Sequence, residues 1–272
     1  VRRRRTLGLA AVLAVLGIAR MTRADEPALA SPSAAVLDAA TGDALFVRRA
    51  DEVRPIASLT KLFVALALHR RVDLERWTTI DHDDARASAG GARTSLMEGE
   101  TFANRDLWYA MLLSSDNRVP SALARSAGWS TAELIERMGH VAGDLGLSHT
   151  RFDDATGIQG NASTARELAL ALREVLRDPL LAKIMTTKHA RVVSRSQAIT
   201  ASYTSTVRPL WDRAYKVLGG KTGHTEGAGY CLVIGLEVRG RPVVIALLGG
   251  KTPDARFDDL AKLVAWLAPA GP

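Results

Sequence analysis

Ser58 and Lys61 stand three residues apart at the head of a run, Leu62-Phe63-Val64-Ala65-Leu66-Ala67-Leu68, that is apolar on every side. If a helix begins there, the hydroxyl and the amine share one face of its first turn. A helix that is apolar all round runs through a core rather than along a surface. A lysine at the mouth of such a rod loses hydration, its pKa falls, and its neutral amine can take the proton of the neighbouring hydroxyl. The chemistry in prospect is nucleophilic catalysis by a serine that carries its own base. A Ser-x-x-Lys arises about once by chance in a chain of this size, so the pair alone reads equally well as an ordinary helix start.

Two further polar triplets fall where elements meet. Ser115-Asp116-Asn117 lies in a break between two helical stretches, where a loop can turn its side chains toward a cleft. Lys221-Thr222-Gly223 ends a strand-like run and is followed by His224-Thr225. A Lys-Thr-Gly is expected only about 0.06 times by chance in such a chain, and the three motifs in this order are not a coincidence.

The elements that must position these groups follow from the pattern along the chain. Ala35 to Asp38 and Ala44 to Val47 are short apolar runs around Ala40-Thr41-Gly42-Asp43, the grammar of a hairpin. Asp81 to Glu100 is polar and carries Gly90-Gly91 and Gly99, which predicts a loop with one short strand. Helical patterns then cover Asn104 to Leu113 and Arg118 to Ala127. Capping boxes at Ser130-Thr131-Ala132-Glu133 and Thr164-Ala165-Arg166-Glu167 open two more, to about Leu145 and Arg177. This block of four helices reads as an insert of about residues 75–180. Strands return at Lys188 to Ser194, Val217 to Thr222, Gly229 to Val238 and Val243 to Gly249, the last two joined across Arg239-Gly240-Arg241-Pro242. A final helix is predicted from Thr252-Pro253 to near Trp266. Strands at both ends with helices between predict an α/β fold, one sheet covered by helices beside a helical lobe.

The formal charge of +7 suggests a polyanion partner until its distribution is read. Residues 1–24 hold Arg2, Arg3, Arg4, Arg5, Arg20 and Arg23 and no acid, so the remainder carries 7 − 6 = +1, and no nucleic acid is expected. Arg2 to Arg5 followed by the apolar run Thr6 to Ala19 is the layout of a secretory signal peptide, too short for the ~20 residues that span a bilayer. The candidate cleavage points are after Ala24 and after Ala30, and Arg4-Arg5-Thr6-Leu7 leaves a twin-arginine route open. Residues 25–33 read as a linker, and the folded domain is expected at 34–268. The single Cys231 excludes an internal disulfide and reads as a buried strand filler.

Ser-x-x-Lys, Ser-Asp-Asn and Lys-Thr-Gly together are the signature of penicillin-binding proteins and class A β-lactamases. Ile56-Ala57-Ser58-Leu59-Thr60-Lys61, Leu113-Ser114-Ser115-Asp116-Asn117-Arg118, Ser163-Thr164-Ala165-Arg166-Glu167-Leu168 and Lys221-Thr222-Gly223-His224-Thr225 all resemble the low-molecular-mass penicillin-binding proteins, D-alanyl-D-alanine carboxypeptidases and D,D-endopeptidases of the S11 type. The likeness extends over about residues 34–268. It implies a five-stranded antiparallel sheet flanked by helices, an inserted helical lobe and a cleft between them. It also implies roles: Ser58 attacks a D-Ala-D-Ala type peptide with Lys61 as base, and the backbone amides of Ser58 and His224 hold the oxyanion. Ser115 relays a proton to the leaving group, and Asn117 binds the donor backbone. Lys221, Thr222 and Thr225 meet the terminal carboxylate, Gly223 belongs to the same substrate-binding stretch, and the Lys221 charge helps keep Lys61 deprotonated. Arg256 resembles an arginine near that carboxylate, with no spacing argument behind it. The partners implied are peptidoglycan stem peptides and, as covalent inhibitors, β-lactams; no metal or cofactor is expected. Asp116, between the serine and the asparagine, is a feature of endopeptidase-like members. The chain runs out soon after Trp266, so an exported, periplasmic or envelope enzyme without a second β-rich domain or a stable membrane anchor is expected.

Rival readings differ at particular residues. A β-lactamase needs a glutamate followed closely by leucine and asparagine to drive water onto the acyl-enzyme, and Glu167-Leu168-Ala169-Leu170 lacks the asparagine. A silent peptidoglycan binder or β-lactam sensor has no need of all these polar residues. A phosphate loop fails because Tyr215 and Ile245 stand where glycine is required. His82-Asp83-Asp84 has no second ligand cluster at a suitable spacing.

Overall fold

The computed structural model describes residues 26–91 and 94–268; the segment 1–24, expected to be a signal peptide, lies outside them. The chain begins with β1 (Ser33–Asp38), β2 (Ala44–Arg48) and the two-residue β3 (Arg54–Pro55), and a 3₁₀ turn, Ala57–Thr60, runs into α1 (Lys61–Leu68). The inserted part holds β4 (Trp77–Thr79), α2 (His82–Ala87), β5 (Thr101–Ala103), α3 (Asn104–Ser114), α4 (Val119–Ser126) and α5 (Thr131–Asp144). There follow β6 (Ala162–Ser163), α6 (Ala165–Val175), α7 (Pro179–Thr186), β7 (His189–Val193) and β8 (Thr200–Thr204). The chain closes with β9 (Lys216–Thr225), β10 (Gly229–Val238), β11 (Arg241–Gly250) and α8 (Ala255–Leu267).

Both ends of the chain build one five-stranded antiparallel sheet in the order β2-β1-β11-β10-β9. Successive residues of β1, β10 and β11 point to opposite faces, and both faces are buried. Ala35, Leu37, Cys231, Val233, Val244 and Ala246 face the core shared with the lobe, whereas Ala34, Val36, Leu232, Ile234, Ile245 and Leu247 face α8. Burial raises the Cys231 thiol to about 11, so it stays protonated and serves as filler. The β10–β11 hairpin closes on Arg239 and Gly240 alone, both at positive φ (50° and 80°), the twist a two-residue turn prefers; Arg241 and Pro242 already belong to β11.

Several expectations are corrected. The segment 29–33 is no linker: Leu29, Ser31 and Ser33 are buried, and the N–H groups of Ala30 and Ser31 donate to the Asp259 carboxylate at 2.9 and 2.6 Å. The polar stretch after Asp81 contains α2, whose capping box is built from two aspartates, Asp81 and Asp84. Helix α8 starts at Ala255 rather than at Pro253, although Thr252 Oγ1 does accept the Ala255 N–H. Helix α7 and strand β8 were not foreseen. Helix α6 packs on β1 and β11, so it belongs to the sheet layer and the lobe ends before it. At its start Thr164 caps the Glu167 N–H, but the Glu167 carboxylate turns to the His149 N–H and the Thr150 hydroxyl, leaving half a capping box.

Asp259 pins the N-terminal segment to α8. Burial alone would raise its pKa, but the donors Ala30, Ser31 and Lys262 outweigh that and hold the carboxyl below the ordinary range. A carboxyl depressed in the folded state stabilises the fold above its unfolded pKa and loses that contribution as pH falls through the folded value. Asp259→Ala is expected to cost about 1–3 kcal/mol by stranding two donors, with the deficit shrinking in acid; chemical denaturation at pH 7 and below pH 4 measures both.

Candidate active site

Ser58 sits half-buried on the 3₁₀ turn, behind Ala57, whose φ of 49° is rare for a residue with a Cβ. The turn is held from three directions. Thr60 Oγ1 donates to the Ala57 carbonyl (2.8 Å), Asn161 Nδ2 donates to Thr60 Oγ1 (2.9 Å), and the Ile56 N–H donates to the Asn161 carbonyl (3.2 Å). Strain at Ala57 persists because its surroundings over-determine it.

Lys61 opens α1 and is wholly buried. Its Nζ lies 2.5 Å from Asn117 Oδ1, 2.7 Å from the Thr156 carbonyl and 3.4 Å from Ser58 Oγ. Burial takes its pKa down to about 7, against the pull of the Asp154 and Asp116 carboxylates, which raise it. A neutral amine has two N–H donors and one lone pair, whereas the ammonium has three donors. Asn117 and Thr156 occupy the two donors and leave the lone pair for Ser58. The 3.4 Å gap exceeds a good hydrogen bond, and contacts of this kind tighten when substrate arrives.

Ser115 ends α3 in the left-handed conformation (φ 66°). Its Oγ is buried without a partner on the wall of a cleft of about 610 Å³ that also exposes Ser58, Asn117, Thr222, Gly223 and Arg256. Asp116, between them, is a pin: its carboxylate accepts the Thr94 hydroxyl (2.5 Å), the Tyr203 hydroxyl (2.8 Å) and the Arg118 N–H (3.1 Å). It thereby fixes the corner from which Ser115 and Asn117 project.

The opposite wall is β9. Lys221 is fully buried, with its Nζ on the Thr222 carbonyl at 2.9 Å. Desolvation first, then the charges of Lys61 and Arg256, drive its pKa well below the ordinary value. For Lys61 itself burial is the chief depressing cause, and the charges of the two lysines also bear on one another. Thr222 Oγ1 meets Thr206 Oγ1 at 2.6 Å, and Thr225 Oγ1 is engaged by the Ala228 N–H. A Cβ on Gly223 would stand 2.9 Å from the Ile56 carbonyl and 3.2 Å from the Ser58 nitrogen, so glycine lets the strand lie against the serine turn. The exposed His224 ring stacks on Tyr230 with centroids 4.0 Å apart. Arg256 reaches the cleft from α8: its Nη1 donates to the Gly223 and Cys231 carbonyls (3.1 and 3.0 Å) over the Tyr230 ring.

The loop between Arg151 and Ala162 was missed as part of the site. Gly157, with φ +88°, presses so close to the serine turn that a Cβ there would lie 2.0 Å from the Ala57 carbonyl oxygen. Asn161 braces the loop from within, its Oδ1 accepting the N–H groups of Asp153 and Asp154. A glycine among polar residues was the available signal, and it reads the same in any turn. Glu167, the residue nearest to a β-lactamase base in the sequence, is committed to His149 and Thr150. Among the described residues no group of three metal-ligating side chains occurs.

The family model for peptidase S11, described as D-alanyl-D-alanine carboxypeptidase, matches residues 20–252. The D-alanyl-D-alanine endopeptidase of Pseudomonas aeruginosa is 30% identical over 276 residues, covering 97% of this chain and 89% of the relative. The enzyme of the same name from Escherichia coli is 29% identical over 256 residues, covering 93% and 82%. In structure the chain is similar to a D-alanyl-D-alanine carboxypeptidase from Mycobacterium tuberculosis, with a TM-score of 0.83, 25% identity and coverage of 93% of this chain and 96% of that one. A Streptomyces DD-transpeptidase gives a TM-score of 0.82 at 25% identity, covering 89% and 98%.

Proposed function

The chain belongs to peptidase family S11, the D-alanyl-D-alanine carboxypeptidases, and from that premise we propose that it cleaves peptidoglycan stem peptides through an acyl-enzyme on Ser58. The observation that carries the reading is the coordination of Lys61 Nζ, with two carbonyl acceptors on its donors and Ser58 Oγ in the remaining direction. The amine takes the hydroxyl proton as Oγ attacks the carbonyl of the penultimate D-alanine. Ser115, whose hydroxyl is otherwise unpartnered, passes a proton to the leaving amine. Backbone N–H groups at Ser58 and His224 stabilise the oxyanion, Asn117 holds the donor backbone, and Thr222, Thr225, Lys221 and Arg256 receive the carboxylate end. Water then releases the acyl group. β-Lactams enter the same first step and stop there.

The names of the two endopeptidase relatives support a cross-link as the bond cut; the family description supports removal of a terminal D-alanine. Mass spectrometry of muropeptides incubated with residues 25–272 and with Ser58→Ala separates them. Conversion of dimers to monomers is the expected result; loss of one alanine from monomeric pentapeptides makes the enzyme a carboxypeptidase instead. Equal inertness of wild type and Ser58→Ala overturns the enzymatic reading.

The substrate requires an extracytoplasmic site, and we infer export by residues 1–24 to the periplasm or envelope. Cleavage after Ala24 rather than Ala30 is supported by the anchoring of the intervening residues: Lys262 donates to the Ala28 carbonyl, Arg48 to that of Leu29, and the Ala30 N–H to Asp259. No helix among the described residues is long and apolar enough to cross a membrane.

A further inference from the structure

Asp154 lies outside all three motifs, yet two of its features converge on Lys61. The first is a turn. Its Oδ1 accepts the Gly157 N–H (3.0 Å), and its Oδ2 accepts the Ile158 N–H (3.2 Å) and the Thr156 hydroxyl. Three donors on one carboxylate fold residues 154–158 into a tight corner, and that corner aims the Thr156 carbonyl at Lys61 Nζ and lays Gly157 on the Ala57 carbonyl. The second is charge. Asp154 is half-buried, and its carboxylate acts on Lys61 from the loop side. The other charged or titratable groups around the amine are Asp116 from the α3–α4 corner, with Tyr203 of β8 bonded to it, Lys221 from β9 and, beyond that, Arg256 from α8.

We propose that Asp154 is a positioning residue for the Ser58–Lys61 pair, its carboxylate both shaping the turn that delivers the Thr156 carbonyl to Lys61 and supplying negative charge beside the amine. The proposal rests on the reading of Ser58 and Lys61 as nucleophile and base. A neutral acceptor would be enough for part of the turn; a hydroxyl or an amide oxygen caps a helix or loop as well as a carboxylate does. The charge has a separate use. Burial alone drives a lysine several pH units down, and a base whose pKa falls far below the working pH is a weak base. An acid on either side, Asp154 and Asp116, keeps the amine strong enough to deprotonate a serine.

The two contributions separate in two variants. Asp154→Asn keeps one oxygen for the Gly157 N–H and loses the charge; Asp154→Glu keeps the charge and loses the turn geometry. The measurement is the rate of Ser58 acylation by a fluorescent penicillin from pH 5 to 9, with thermal melting as a check on folding. In Asp154→Asn the acid limb is expected to move down by about one pH unit, so that the variant outperforms wild type in relative rate at pH 5.5. In Asp154→Glu the limb is expected to stay in place while the plateau drops about tenfold or more. An unmoved or raised midpoint in Asp154→Asn, or a lowered one in Asp154→Glu, overturns the proposal whatever the plateaus do. A wild type that is not acylated at any pH removes the reading of Ser58 and Lys61 instead.

Discussion

Lys61→Met is expected to slow acylation of Ser58 by about 10²–10⁴-fold, the range a positioned general base supplies, and to leave a folded protein. Methionine fills the volume of a wholly buried side chain with no charge to desolvate. The loss is that Asn117 Oδ1 and the Thr156 carbonyl are stranded as buried acceptors, at a cost of about 1–3 kcal/mol, and the gain from removing a buried amine offsets part of it. The sign of the pH effect follows from the direction of the shift. With a pKa brought down to about 7 by burial, the amine is protonated and inactive below that value. Wild-type acylation therefore rises about tenfold per pH unit in acid and levels off above neutrality, whereas the methionine variant has no limb there. A stopped-flow pH series on both proteins, beside their denaturation curves, measures rate and stability independently. Loss of both together would mean that the lysine holds the fold rather than the proton.

Gly157→Ala is expected to damage the site without touching any polar residue in it. The position has φ +88°, and a Cβ would stand 2.0 Å from the Ala57 carbonyl oxygen, 2.4 Å from its carbon and 2.9 Å from the Ser58 nitrogen. The left-handed backbone costs a residue with a Cβ about 1–2 kcal/mol, and overpacking against a braced turn costs about 1–3 kcal/mol more. Backbone cannot step aside as a side-chain tip can, so either the loop lifts, taking the Thr156 carbonyl from Lys61, or the serine turn shifts. Each outcome misplaces reacting atoms, and a displacement of about 1 Å costs about 10²-fold. Urea denaturation and β-lactam acylation should both register the change. Gly128→Ala, at a glycine with no neighbour within 4 Å of its would-be Cβ, is the control for the stability effect of a positive-φ position alone.

Much of this site was legible in the sequence because its chemistry is carried by contiguous motifs. Ser58 and Lys61 are one helical turn apart, Ser115 and Asn117 flank one aspartate, and Lys221 to Thr225 lie along one strand. The paired apolar runs of β10 and β11 and the Ser130 capping box were equally local, and both stand. What stayed hidden is spread over long sequence separations. Thr156 meets Lys61 across 95 residues, Asp116 meets Tyr203 across 87, and Ala30 meets Asp259 across 229. No periodicity encodes such contacts. Residues 25–33 looked like a spacer because alanine, serine and proline carry little signal; Ala30 and Ser31 are held by an aspartate on the last helix. Asp81 and Asp84 escaped notice because an aspartate at the third helical position is a shorter arm than the usual glutamate.

Strand β9 closes one side of the sheet, and an open sheet edge is a template on which any extended chain can add itself. Over its first half one face of the strand is packed: Leu176 and Met185 press on Gly219, where a Cβ would meet Leu176 Cδ2 at 2.5 Å. Its second half, Thr222 to Thr225, lines the cleft. The helical insert stands across the gap. Protection from self-association and admission of a peptide are thus two aspects of one aperture: too wide, and a neighbouring copy could pair with β9; too narrow, and no stem peptide would reach Ser58. The packing of the insert thus bears on access to β9 as well as on the placement of Ser115 and Asn117.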